Sequence, residues 1–215
     1  MLFRSVNEEV VIPRAQILEQ STSSDSMMPE GLIASLPDDD VRALFAYLAS
    51  DAQVPMRGED VVIDRRSHKA AGVLEGESLK VISHRGGNVA PQNMRGFGAG
   101  KWSGNSQLFW TNPRPKDELV LALPVESSGR YAIDVACTKA ADYGVVQFLL
   151  DGEPLDQPID FFNRGVIPSG PIRLGERVLE AGEHRLGVQV VGIRPEATKS
   201  YMFGLDWVRL VRLEE

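Results

Sequence analysis

Between residues 119 and 213, apolar residues recur at every second position in short runs, and that period limits what this stretch can fold into. Leu119, Leu121 and Leu123 share one parity. After Ser127-Ser128-Gly129, Tyr131, Ile133, Val135 and Cys137 share one face, with Arg130, Ala132, Asp134 and Ala136 opposite. Successive side chains of a strand point to opposite faces, so each run reads as a half-buried strand, whereas a helix would scatter the same residues around its axis. Further runs are Val145 to Leu150, Arg177 to Glu180, the set Leu186, Val188 and Val190, and Met202 to Leu213. Asp151-Gly152 and Ala181-Gly182 are turn signals between them, the first suited to a two-residue hairpin. About eight to ten strands with hardly any helix predict an antiparallel β-sandwich, most simply a jelly roll. No internal repeat is visible.

The first 71 residues read differently. Pro37-Asp38-Asp39-Asp40 supplies an N-cap and first-turn acids, and Val41, Leu44, Phe45 and Leu48 fall at i, i+3, i+4 and i+7. The spacing predicts a helix over about residues 38–49. Upstream, Met1 to Ser5 lacks the apolar core of a signal peptide and runs at once into Val10-Val11-Ile12, which reads as a strand, as though the chain began partway through a domain. Ser50 to Ala71 is polar, contains Pro55 and Gly58, and offers only Val61-Val62-Ile63 for pairing, which reads as a linker with one short strand. The expected organisation is a small helical segment over 1–50, a linker over 51–71 and a mainly β sandwich over 72–215.

Charge and cysteine content exclude several function classes. The 215 residues carry 23 Lys and Arg against 30 Asp and Glu, a net charge of −7, with no basic block, which argues against a nucleic-acid or anionic-membrane partner. No apolar run approaches the roughly 20 residues that span a bilayer. With Cys137 as the only cysteine, an intrachain disulfide, a Cys-x-x-Cys zinc site and a Cys-x-x-Cys-His haem attachment are all ruled out within this chain. Cys137 itself falls on the inward face of a strand, where a thiol behaves as a small hydrophobe. No Gly-x-Ser-x-Gly, His-Glu-x-x-His or phosphate loop occurs. Asp156 and Asp160 could be arranged for glycoside hydrolysis, but a chain with 30 acids offers such pairs by number alone. A non-catalytic module is the expectation.

Recognition of a sugar calls for flat apolar faces against the C–H side of a pyranose and planar polar groups for its hydroxyls. Three loops offer both. Trp102 and Trp110 flank Ser103-Gly104-Asn105-Ser106-Gln107; Lys139, Asp142 and Tyr143 lie in Thr138 to Gly144; and Asn163 lies in Phe161-Phe162-Asn163-Arg164-Gly165. Trp110 and one of the two Phe suit the core as well as a ligand, and Trp102, among Gly and Ser, is the stronger binding candidate. Gathered at one end or on one face, these loops would form a shallow cleft for a polysaccharide or oligosaccharide.

Read in order, Val73-Leu74-Glu75-Gly76-Glu77-Ser78-Leu79, Gly100-Lys101-Trp102-Ser103-Gly104, Lys116-Asp117-Glu118-Leu119, Gly129-Arg130-Tyr131, Leu150-Asp151-Gly152 and Phe203-Gly204-Leu205-Asp206-Trp207-Val208 resemble the landmarks of the β-sandwich carbohydrate-binding modules of families 6 and 35, which are galactose-binding-like. The resemblance covers about residues 72–213. It implies a structural calcium held by Glu75, Glu77 and Asp206, three hard carboxylates that would clip the first strand to the last. Taken by themselves, Glu75 and Glu77 equally suit the solvent face of a strand.

A second resemblance concerns residues 6–50. Ser26-Met27-Met28-Pro29-Glu30-Gly31-Leu32, followed by a helix ending Leu44-Phe45-Ala46-Tyr47-Leu48, is similar to the C-terminal end of the c-type cytochrome domains of large planctomycete and verrucomicrobial proteins. It implies that Met28 is a haem axial ligand in a longer parent and that the parent resides in the periplasm or cell envelope. None of His68, His84 and His184 precedes the Met-Pro loop, so no haem is expected on this chain. Two other readings remain open at this level: a structural sandwich that docks other domains of the parent, and a fragment of an electron-transfer protein.

Overall fold

The structure is a computed structural model that describes residues 2–4, 9–11, 16, 41, 42, 44, 45, 61, 63, 64 and 66–213. The chain divides into two compact units, Met1–Val54 and Pro55–Glu215. In the first, β1 (Leu2–Arg4) pairs antiparallel with β2 (Glu9–Val11). Val41, Arg42, Leu44 and Phe45 are helical, within the expected 38–49 span, and Leu44 and Phe45 are exposed. Met28 and the Pro37 to Asp40 cap lie outside the described residues.

The second unit is built from β3 (Leu74–Glu75), β4 (Val81–His84), β5 (Asn88–Asn93), β6 (Ser106–Thr111), β7 (Glu118–Val125), β8 (Gly129–Lys139), β9 (Val145–Leu150), β10 (Glu153–Asp160), β11 (Ile167–Leu179), β12 (Gly182–Gly192) and β13 (Phe203–Arg212). One sheet has the order β10-β9-β12-β7-β4 and the other β11-β8-β13-β6-β5, with β3 also on β13. The pairings within these strands are antiparallel. This is the antiparallel sandwich that the two-residue period predicts. Leu119, Leu121 and Leu123 of β7 face Ile133, Val135 and Cys137 of β8 across a core completed by Phe148, Val188, Phe203 and Leu205, all buried. Phe148, Phe161 and Phe203 meet edge to face with centroids 5.8–6.4 Å apart, so Phe161 belongs to the core.

The 51–71 stretch differs from the expected linker from residue 61 onward. Ile63 bridges Ala70, and the Asp64 carboxylate closes the turn between them by accepting from the N–H groups of Arg66 and Ser67 at 3.0 and 2.7 Å. Val61, Ile63 and Val73 pack on Ala70, Ala136 and Trp207, on the outer face of the six-stranded sheet. A short polar hairpin is retained there because the sheet presents a tryptophan that water would otherwise cover.

Asp151 and Gly152 turn the β9–β10 hairpin with φ of +51° and +88°, the left-handed values that Asp-Gly tolerates. The Asp151 carboxylate accepts from the Arg185 N–H at 2.8 Å and faces His184 Nδ1 at 2.6 Å, while His184 Nε2 faces the Glu180 carbonyl at 2.9 Å. Acceptors on both ring nitrogens favour the imidazolium, and the hydrogen bond to Asp151, followed by that to Glu180, raises the His184 pKa. A raised folded-state pKa stabilises the fold below the unfolded value, and that contribution is lost as pH rises through the folded value. His184→Ala is therefore expected to lower the urea midpoint clearly at pH 5.5 and much less at pH 9.

Candidate functional site

Two groups of side chains gather near the loops that the sequence singles out. The first is acidic. On β13, Leu205 pairs with Cys137 and Trp207 with Ala136, which leaves Asp206 as the extra residue of a β-bulge. Opposite Trp207 stands Glu75 on β3. Gly76 then passes so close to the last strand that a Cβ there would sit 2.3 Å from the Leu205 carbonyl oxygen, which is why the residue between the two glutamates is glycine. Ser103 ties the ends together: its N–H donates to Asp206 Oδ1 at 2.9 Å and its hydroxyl to Glu75 Oε1 at 2.6 Å.

These carboxylates are short of partners. Glu75 Oε2 and Glu77 Oε2 are buried with no hydrogen-bond partner among the described residues. Burial pushes the Asp206 carboxyl up to about 8; the Ser103 N–H opposes this, and the charges of Glu75 and Glu77 reinforce it. Burial, aided by Glu75, also raises Glu77. Among the described residues no three His, Cys, Asp or Glu side chains stand at the spacing of a closed metal shell. The donor set nonetheless fits a hard cation, because two unpaired buried oxygens and three mutually repelling carboxylates are what a divalent ion relieves.

The second group is the loop end of the sandwich. Ala140 N–H donates to the Phe161 carbonyl and Asn163 N–H to the Ala140 carbonyl, both at 3.1 Å. Thr198 N–H donates to Ala141 at 2.8 Å and Met202 N–H to Asp142 at 3.0 Å. The 139–144, 161–165 and 194–202 segments thus form one backbone-bonded platform at the end where β8, β10 and β12 finish. Lys139, Asp142 and Asn163 lie on it, each partly exposed. Asn163 Nδ2 donates to the Gly165 carbonyl at 2.7 Å, and the Arg194 guanidinium lies 5.4 Å from the Phe162 centroid while its Nε donates to Asp160 at 2.7 Å.

The aromatic residues expected to stack on sugar are placed elsewhere. Trp102 and Trp110 are completely buried, and their indole N–H groups donate to Thr138 Oγ1 at 2.8 Å and to the Gly86 carbonyl at 2.9 Å. Tyr143 is also buried: its ring stacks on Phe109 at 6.2 Å, its hydroxyl accepts from Gln107 Nε2 at 3.2 Å, and burial raises its pKa. Asn105, at φ +55°, is turned inward, its Oδ1 accepting from Gly100 N–H at 2.6 Å. Trp102, Asn105, Trp110 and Tyr143 therefore present no free surface. The physical reason is a polar chain beneath the platform, in which Thr138 donates to Gln107 and Gln107 reaches Gln92 and Tyr143, so the rings are satisfied inside the protein. Gln107 and Thr138 lie at the edges of two of the loops that the sequence singles out, but nothing local marks them as the buried partners of the rings.

Two shallow grooves of about 370 and 460 Å³ run beside Val73, Leu74 and Pro124, away from the loop platform. Among the described residues no helix is long and apolar enough to cross a membrane.

No family model matches the chain, and no curated protein matches it. Among solved structures, it is similar to a xanthan lyase from Paenibacillus, at 17% identity over 75% of this chain and 14% of the lyase, with a TM-score of 0.58. It also aligns with a family 35 carbohydrate-binding module from an environmental isolate, at 13% identity over 65% of this chain and 91% of the module, with a TM-score of 0.44. A third match is the CBM36-1 domain of a multidomain xylanase from the hindgut metagenome of Trinervitermes trinervoides, at 10% identity, 66% and 98% coverage and a TM-score of 0.43. At these identities the likeness is one of fold, and the chain spans about one seventh of the length of the lyase.

Trp102→Ala is expected to cost about 3–5 kcal/mol of stability in urea unfolding, the cost of emptying a packed aromatic site.

Proposed function

We propose that the sandwich is a non-catalytic carbohydrate-binding module. The observation that carries this reading is the loop platform, in which three segments fixed to each other by backbone hydrogen bonds present Lys139, Asp142 and Asn163 together. A preorganised set of planar polar groups beside the half-buried ring of Phe162 suits the hydroxyls and one C–H face of a pyranose. The ordered landmarks from Glu75 to Asp206 support it, and so do the modules of family 35 and of a xylanase among the aligned structures. Titration against a broad panel of polysaccharides and oligosaccharides is expected to find a ligand, with Asp142→Ala and Asn163→Ala each weakening it about tenfold at unchanged stability. Absence of binding across the panel with calcium present would contradict it.

The same reading assigns Ca²⁺ to Glu75, Glu77 and Asp206, where it would neutralise the buried charge and hold the first strand to the last. The sign of the metal-free pH dependence follows from the raised Asp206 pKa. A proton held in the fold up to about pH 8 but lost from the unfolded chain near pH 4 makes stability fall as pH rises between those values. In EDTA the melting temperature is expected to drop from pH 5 to pH 8, and added Ca²⁺ to restore it. Asp206→Asn should flatten that part of the drop and abolish the response to Ca²⁺.

The wider setting, a module of a larger periplasmic or envelope oxidoreductase with Met28 as its haem ligand, is a proposal resting on the order of residues 26–48. A Soret band in the longer parent tests it.

A further inference from the structure

The segment Met94 to Trp102 is not used by the platform, and its geometry is that of a built contact. Both ends are anchored inside: Met94 and Trp102 are buried, and Asn105 holds the loop at two points, its carbonyl accepting from Met94 N–H at 2.8 Å and its side chain from Gly100 N–H. Residues 95–97 make one 3₁₀ turn, with Phe97 N–H donating to Met94 at 3.0 Å, and Gly98 and Gly100 adopt φ of +129° and +78°. Between the anchors Phe97 is thrown outward, 45% exposed, with Arg95 and Lys101 exposed beside it. The Lys101 side chain folds back over Gly98, where a Cβ would stand 2.9 Å from its Cδ and Cε, so the ammonium stem and the phenyl ring share one small turn.

The charge here runs against that of the whole chain. With a net charge of −7, most of the chain's basic side chains could find a carboxylate, yet neither Arg95 nor Lys101 forms an ion pair among the described residues. The 66–70 segment of the small hairpin borders this loop, with His68 next to Gly100 and accepting through its carbonyl from Gly104 N–H at 2.5 Å, but His68 and Lys69 act on Asp64 and Glu77 and add no free charge. Asp64 and Glu77 are engaged with other groups. The Asp64 carboxylate accepts from Arg66 and Ser67 inside its own turn, and Glu77 lies half-buried with the acidic group.

We propose that this loop is a second glycan contact, selective for anionic pyranose chains. The proposal rests on the carbohydrate-binding reading above. The exposed ring supplies the flat apolar face for the C–H side of a sugar, while Arg95 and Lys101 take the carboxylate or sulfate groups of that sugar and its neighbour. Two exposed ion pairs are individually weak and screened by salt, so the loop acts on a polymer that repeats the charge and adds it to the platform contact. The double anchoring at Asn105 limits the ordering entropy of binding.

The test uses the full chain and affinity electrophoresis in gels containing polygalacturonate, its carboxyl-reduced neutral form, dextran sulfate or dextran. At low salt, retardation by at least one polyanion is expected at about tenfold lower polymer concentration than by its neutral counterpart, and the two pairs of gels tell carboxylate from sulfate. Arg95→Gln with Lys101→Gln should remove that difference, and Phe97→Ala should weaken retention several-fold with the melting temperature unchanged. Polyanion binding that ignores Phe97→Ala is plain electrostatic adsorption and overturns the proposal, as does equal binding of charged and neutral polymers. Loss of neutral-glycan binding in Asn163→Ala, with polyanion binding intact and Phe97-dependent, supports two separate contacts. Neutral binding that needs Asn163, without any response to Phe97, Arg95 or Lys101, leaves the platform standing and removes this loop.

Discussion

Asp206, on the last strand, is buried beside two glutamates from the start of the sandwich, and Ser103 is hydrogen-bonded to both Asp206 and Glu75. Three consequences follow for the rest of the domain. The bulge at Asp206 shifts the β13 register against β8, and Trp207 then falls on the outer face, where the 61–73 segment covers it. The chain at Gly76 must pass against Leu205, which fixes the entry of the first strand. The 98–105 loop is drawn in by Ser103, and with it Trp102, whose indole is satisfied by Thr138 on β8. Buried like charges are costly to hold together, which is why the proposed function places a cation at this strand junction.

The same junction separates what the aromatic residues do from what the loops do. Trp102, Trp110 and Trp207 are all buried, so these rings hold the outer face and the core, and the proposed recognition falls to partly exposed polar residues and to Phe97. The platform and the Phe97 loop are joined beneath the surface by the chain from Trp102 through Thr138 and Gln107 to Tyr143. In the proposed function, the two contacts are thereby held on one rigid support, and a polymer rather than a single sugar is the natural ligand of such a surface.

The sandwich was legible because a period of two is a direct image of the strand: the runs at Leu119, Tyr131, Val145, Leu186 and Met202 fall on β7, β8, β9, β12 and β13, whereas β10 and all but the end of β11, which are rich in Pro, Asp and Gly, carried no such run. The carboxylates were legible as a motif, since Glu-Gly-Glu and Leu-Asp-Trp keep their order along the chain. Exposure was not legible. Trp102 lies among Gly, Ser and Lys, a composition that suggests a surface loop, but a tryptophan needs one hydrogen-bond acceptor to be buried, and Thr138 lies 36 residues away. For the same reason Phe97, in an equally glycine-rich stretch, carries no local sign that its ring is left exposed. The 61–70 hairpin was hidden because its burial depends on Trp207, more than 130 residues downstream by sequence. Local composition carries no information about such distant partners.

The carboxylate junction is tested most directly by carbon-13 NMR of the Asp206 side chain, titrated in EDTA and again with Ca²⁺. Without metal, a carboxyl resonance that titrates near pH 8 is expected, and with Ca²⁺ the same carboxyl should remain ionised down to well below neutral pH. An Asp206 that titrates near pH 4 in both conditions would contradict it, since the carboxylates would then be neither buried together nor poised for a cation.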